Sequence, residues 1–436
     1  MNRKILRLAI PNIISNLSVP LLSTVDTALM GRMESEIYIG AVALGALIFN
    51  FVYWGFGFLR MGTTGLTAQA FGQQDKSRII QTLGRATLVA LGGAIVLLLL
   101  QWPIKMLSFG IIDGSEAVEG LAREYFDIRI WAAPATLALY ALTGWFLGMQ
   151  NAFYPMLLTV FTNAVNIAAN IVFIRYFDMK VDGVAWGTVL AQYLGVVLGL
   201  VLFYKKYRYL LLAFSRRAVL ELKALKAFLL LNGDIFIRTF LLIFVFSFFT
   251  DRSAAQGDLI LAANAVLLQY FSWMAHGTDG FAFAAESLIG QYVGARNYAL
   301  LTKSIKYSFG WGMGLAFVFT LFYGISGEYL LAVFTDQEDV IEAAVPYLWW
   351  IVLLPLAATP GFIWDGIFIG FAASKAMRNT MLPAVAAFLG IYYVLTSGTS
   401  LGNHGLWIAF LTFMIIRGVV QLWWYRRYKL KWLEME

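Results

Sequence analysis

The sequence predicts an all-α integral membrane protein of about twelve transmembrane helices, arranged as two pseudo-symmetric six-helix lobes. Three observations carry that prediction. Of 436 residues, 60% are hydrophobic and 13% charged, where a soluble domain averages about 25% charged. Basic residues gather on alternate breaks between the apolar runs. Residues 222 positions apart repeat: Gln69 and Gln291, Gly72 and Gly294, Tyr125 and Tyr347, Gly144 and Gly366, Gly148 and Gly370, Gly183 and Gly405.

The apolar runs lie at roughly 8–31, 38–61, 86–104, 121–147, 155–174, 183–204, 227–249, 259–283, 307–325, 343–367, 380–396 and 405–424. At about 1.5 Å of rise per residue each can cross a bilayer. Arg3, Lys4 and Arg7 resemble the charged start of a signal peptide, but the following run holds Asn, Pro and Asp without a small-residue cleavage site. It reads as a retained first helix. Assigning alternate breaks to opposite sides puts 22 of the 32 basic residues on one side and six on the other. The positive-inside rule then sets both termini in the cytoplasm of a plasma (bacterial inner) membrane. The net charge of +7 is therefore topological, and a nucleic-acid partner is not expected.

An even number of spans per repeat gives the halves the same orientation, as parallel repeats have. The division expected is a first lobe over 1–206, a linker over 207–226 and a second lobe over 227–436. In the linker basic and apolar residues interleave at helical spacing, which fits a helix lying in the cytoplasmic interface.

The first span contains one ionisable residue, Asp26. Asn12, Asn16, Ser23 and Asp26 fall within about an 80° arc, and Pro11 and Pro20 predict bends. An acid inside a span is a functional-site candidate by default. Thr159, Asn163, Asn166 and Asn170 share a face of span five, as do Thr188, Gln192, Gly195 and Gly199 of span six. Counting inward, Asp26, Asn166, Asn170 and Thr188 share a depth of roughly 6–12 Å below the outer surface. Three polar seams at one depth imply a hydrated pocket, although the amides and hydroxyls could instead only join helices. In the second lobe, Asp279, Glu286 and Asp365 count to the cytoplasmic end, as does Arg60 of the first. They either form an ion-paired gate or are solvated at the interface. Asp234 and Arg238, four residues apart, can pair on one helix, with Arg417 at similar depth. By the 222 offset these three answer to Asn12, Asn16 and Gly195, so the lobes differ chemically.

With no Cys, disulfides, thiolate metal sites and thiol catalysis are excluded. His276 and His404 make no metal site together, and neither a P-loop, a nucleotide fingerprint nor a G-x-S-x-G motif occurs. No cofactor is expected, and active transport would draw on an ion gradient.

The stretches SVPLLSTVDTALMGRM, FLRMGTTGLTAQAFGQ and DGFAFAAESLIGQYVGA closely resemble those of the MATE (multidrug and toxic compound extrusion) transporters, in their DinF-like branch. The resemblance runs from about Leu8 to Tyr428. It implies two six-helix lobes in a V around a central cavity, and export of amphipathic, often cationic, compounds in exchange for H⁺ or Na⁺. The span-one acid that such proteins use for cation coupling matches Asp26; the span-five Asn matches Asn166 and the span-six Thr matches Thr188. Where the family commonly has a second acid, this chain has Asn170. One carboxylate favours H⁺ over Na⁺, with Na⁺ an alternative because neutral oxygens also coordinate it. The acids around Asp279 and Asp365 do not reproduce the cation site of the NorM branch.

Export of small amphipathic compounds by a monomer among membrane lipids is thus the leading expectation. A flippase for lipid-linked precursors would need a more basic cavity than Arg60, Arg129, Arg238 and Arg417 supply. An intramembrane enzyme would need a nucleophile–base or metal constellation, and none is evident. A structural scaffold would have no use for lone charges inside spans.

Overall fold

The computed structural model describes residues 1–30, 35, 37–111, 115–398 and 401–433, leaving out side chains 20–28, 30, 397–398, 428 and 430–433. Its regular elements are all helical: α1 (Asn2–Met30), α2 (Ile37–Gly55), α3 (Gly57–Gly72), α4 (Lys76–Leu99), α5 (Gln101–Ile111), α6 (Glu116–Arg129), α7 (Ala133–Gly148), α8 (Phe153–Tyr176) and α9 (Val181–Tyr207). There follow α10 (Arg216–Val219), α11 (Leu222–Ala254), α12 (Asp258–Gly294), α13 (Tyr298–Phe334), α14 (Glu338–Ala344), α15 (Leu348–Gly370), α16 (Ser374–Gly398) and α17 (Asn403–Leu433). Eleven helical stretches among the described residues are long and apolar enough to cross a membrane, one for each predicted run after the first. The first run falls on α1.

The chain divides into two units, residues 14–229 and residues 1–13 with 230–436. The sequence division assigned residues 1–13 to the first lobe. Their own contacts explain the difference: Lys4 Nζ donates to Tyr292 Oη at 3.2 Å, Trp311 Nε1 to Asn2 Oδ1 at 3.2 Å, and Gly280 lies against Ala9 and Ile13. The linker is also more broken than one interfacial helix. Arg208–Ala213 is a 3₁₀ turn, α10 is a single turn, and α11 starts at Leu222, ahead of the apolar run. Buried Leu210 and Val219, with Arg85 Nη2 donating to the Ala218 carbonyl at 2.7 Å, dock it on α4.

The 222-residue repeat extends to the backbone. Asp75 and Asn297 cap α4 and α13, each accepting from the N–H three residues on. Gln74 and Arg296, and likewise Gln150 and Ala372, take left-handed backbone at φ of 58°, 50°, 60° and 54°. Each is the turn residue that ends a helix.

Glycine sets how closely the helices meet. A Cβ on Gly144 would strike the Arg60 carbonyl on α3, and one on Gly366 the Ala282 carbonyl on α12, 222 residues further on in both partners. At the helix ends, a Cβ on Gly148 would lie 2.8 Å from the Thr64 carbonyl and one on Gly370 2.8 Å from that of Glu286. The α3–α7 and α12–α15 pairs therefore pack backbone against backbone, as small residues permit between spans.

Gly366→Val and Gly144→Val are expected to destabilise by about 1–3 kcal/mol or more, because a carbonyl of a packed helix cannot move aside. Gly390→Ala, inside α16 where a Cβ meets nothing within 4 Å, should melt at or slightly above the parent temperature, since Ala is the better helix former. Thermal melting in detergent measures both.

Candidate functional site

In the unit of residues 14–229 the polar residues of α1, α8 and α9 form continuous seams. Ser15 Oγ donates to Thr159 Oγ1 at 2.9 Å, and Asn163 Nδ2 donates to Ser18 Oγ at 3.1 Å and its carbonyl at 3.2 Å. Deeper along α8, Asn170 Nδ2 donates to Asn166 Oδ1 at 3.1 Å. Asn166 Nδ2 donates to Thr188 Oγ1 at 2.9 Å, and Thr188 donates to the Val184 carbonyl at 2.9 Å. Asn166, Asn170 and Thr188 are all buried. This chain has a direction, each group donating to the next and ending on a backbone carbonyl. Gly187 makes room for it, since a Cβ there would strike Asn170 Oδ1.

The predicted trio of Asn166, Asn170 and Thr188 is thus brought together. The face of α1 that meets α8 carries Ser15 and Ser18, not Asn12. Asn12 Nδ2 donates back to the Leu8 carbonyl at 2.8 Å, and residues 1–13 belong to the other unit. Asn16 and Gln192 are half-buried. Asp26 and Ser23 sit on α1 with side chains outside the described residues.

The second unit differs from its expectation in three ways. Asp234 does not pair with Arg238 on its own helix. Arg378 Nη1 reaches it at 2.6 Å and Ser374 Oγ at 2.9 Å, both from α16. Arg238 instead donates to Asp365 Oδ2, and Arg417 donates to the same oxygen. Asp365 Oδ1 accepts from Gln421 Nε2 at 2.6 Å. One carboxylate on α15 thereby joins α11 and α17, all within its own unit. Helical spacing puts Asp234 and Arg238 on one face but says nothing of what α16 and α15 offer.

Nor do the acids end at helix termini. Helices α3, α12 and α15 continue to Gly72, Gly294 and Gly370, so Arg60, Asp279, Glu286 and Asp365 all lie inside them. Glu286 and Asp365 are buried, which removes interfacial solvation as their explanation. Asp279 is half-buried and interacts through charge with both Arg238 and Arg417. Arg378, Ser374 and Gln421 were not singled out from sequence; a basic or amide residue on a neighbouring span, aligned in depth with a buried acid, is the signal that would have found them.

A sequence profile decides the family. The MatE profile matches residues 11–172 and again residues 235–395, once in each half of the repeat. The chain belongs to the MatE family of MATE multidrug efflux transporters. Over 412 residues it is 37% identical to DNA damage-inducible protein F (DinF) of Escherichia coli strain K12, covering 94% of this chain and 89% of that one. It is 22% identical over 441 residues to the probable multidrug resistance protein NorM of Thermotoga maritima, covering 97% and 91%. A crystal structure of MATE in the bent conformation matches with a TM-score of 0.88 at 19% identity, covering 100% of this chain and 96% of that one. The MATE resemblance and its DinF-like branch are borne out, as is the all-helical fold.

Replacing Thr188 by Val removes the acceptor for Asn166 Nδ2 and is expected to destabilise the MATE fold by about 1–3 kcal/mol. Thr188→Ser, which keeps the hydroxyl, should retain most of that stability in the same melting measurement.

Proposed function

We propose that this MATE protein is an H⁺-coupled antiporter that exports amphipathic or cationic organic compounds by alternating access, with Asp26 as the coupling group. It would sit in the bacterial inner membrane with both termini in the cytoplasm. The observation that carries the reading is the register between α1 and α8. Ser15 meets Thr159 and Ser18 meets Asn163, offsets of 144 and 145 residues. The same offset of 144 residues pairs position 26 with position 170, the end of the Asn170–Asn166–Thr188 chain, which supports a carboxylate neighbour for that chain.

Such a neighbourhood suits a carboxylate that changes charge. Amides and hydroxyls present either a donor or an acceptor by rotation, so they can follow protonation without a second acid. Asn170 contributes no formal charge, so a monovalent cation would meet one carboxylate and neutral oxygens. A proton needs only the carboxylate. Protonation biases the transport cycle to the extent that the two conformations hold the proton with different affinity. Export then follows if substrate favours the conformation that the proton does not.

Asp26→Asn in proteoliposomes is expected to fold and to lose gradient-driven ethidium exchange. Exchange at the parent rate in that variant would contradict the coupling role.

A further inference from the structure

We propose that the unit of residues 230–436 holds an anion-binding site built from Arg238 and Arg417, in which Asp365 is the resident stand-in for a small organic carboxylate or sulfonate. The proposal requires only that the chain is a transporter, and is independent of coupling at Asp26.

The cluster is almost dry. Side-chain exposure is 6% for Arg238, 1% for Arg417 and 10% for Asp365, and Gln421 is 1% exposed. Both guanidinium groups donate to the same oxygen, Asp365 Oδ2, while Gln421 Nε2 takes Oδ1. Arg238 Nε, Arg417 Nε and Nη1, and Gln421 Oε1 are buried with no hydrogen-bond partner among the described residues. A buried ion pair that served only to hold helices would be expected to satisfy its donors, since a donor left bare keeps its full desolvation cost, larger still for a charged group. Here three guanidinium N–H groups lie bare around one carboxylate. They match the oxygen-rich, planar or tetrahedral head of a carboxylate or sulfonate, which arginine binds through two parallel hydrogen bonds.

The charge is not demanded by the scaffold. At the 222 offset Arg238, Asp365, Arg417 and Gln421 correspond to Asn16, Thr143, Gly195 and Gly199, so the first half supports the same helical frame with neutral or absent side chains. The ring of Phe362 lies 5.2 Å from the Arg417 guanidinium carbon, giving an apolar wall beside the charged head. Asp279 also acts by charge on both arginines, and it is only half-buried. Helix α15 also carries Pro355 and Pro360 within its length. Each removes a backbone hydrogen bond and lowers the resistance to bending upstream of Asp365. Withdrawal of Asp365 would leave the two forks to a ligand of the same chemistry.

Isothermal titration of the purified full-length protein with benzenesulfonate, and in parallel with benzyltrimethylammonium, tests this. Wild type is expected to bind benzenesulfonate saturably. Arg238→Gln and Arg417→Gln should weaken that binding at least about tenfold while leaving benzyltrimethylammonium binding unchanged. Should either Gln variant not elute as folded protein, Arg238→Lys and Arg417→Lys keep the charge without the fork, and the same selective weakening is expected of them. No saturable benzenesulfonate binding to wild type, or equal binding by the folded variants, overturns the proposal. Neither outcome bears on exchange driven through Asp26.

Discussion

A polar group inside an apolar helix bundle has no water to fall back on, and must find its partner in the protein or remain unsatisfied. This constraint shapes both units, which meet it by different means. Between α8 and α9, residues 14–229 use neutral groups: amides and hydroxyls in a directed chain, Asn170 to Asn166 to Thr188, that ends on the Val184 carbonyl. The other unit uses full charges, with Asp365 between Arg238 and Arg417 and with Asp234 held by Arg378 and Ser374. Removing one partner of such a buried pair leaves a charge that the surroundings cannot solvate, which is why breaking it is costly even where the intact pair adds little.

Both solutions hang on one repeated frame. Helices α3 and α7, and again α12 and α15, meet at glycines whose missing side chains let backbone touch backbone. Contacts of that kind hold the helices at close approach and leave side chains elsewhere free to diverge. The frame is therefore duplicated while its polar content is not. The neutral chain and the charged cluster occupy two copies of one architecture, which gives the transporter two chemically distinct interiors.

Much of this was readable from the residues. Apolar runs locate helices because membrane spans are selected for length and hydropathy, and the 222 offset locates close helix contacts because only glycine permits them. The Asn166–Thr188 bond was accessible because α8 and α9 are consecutive, so depth can be counted across a short turn. Pairing between distant helices was not accessible in this way. Arg378 lies 144 residues from the Asp234 it serves, and Arg238 lies 127 residues from Asp365. Periodicity along one helix ranks the i, i+4 neighbour first and is blind to both. Helix ends were also underestimated: polar residues such as Gln69 and Gln291 interrupt hydropathy without interrupting the helix, which hid that Glu286 is buried within α12. The grouping of residues 1–13 with residues 230–436 has no signal in helical periodicity, which reports the faces of one helix and not the helices it packs against.

With coupling at Asp26 as proposed, the neutral Asn170–Asn166–Thr188 chain adds no second carboxylate, and a proton suffices. The most direct measurement is substrate exchange by the wild-type protein in vesicles with a pH gradient and a Na⁺ gradient imposed separately. The pH gradient alone is expected to drive ethidium exchange, and Na⁺ at constant pH is expected not to. Exchange driven by Na⁺ alone, at a rate equal to or above that driven by the pH gradient, would contradict it.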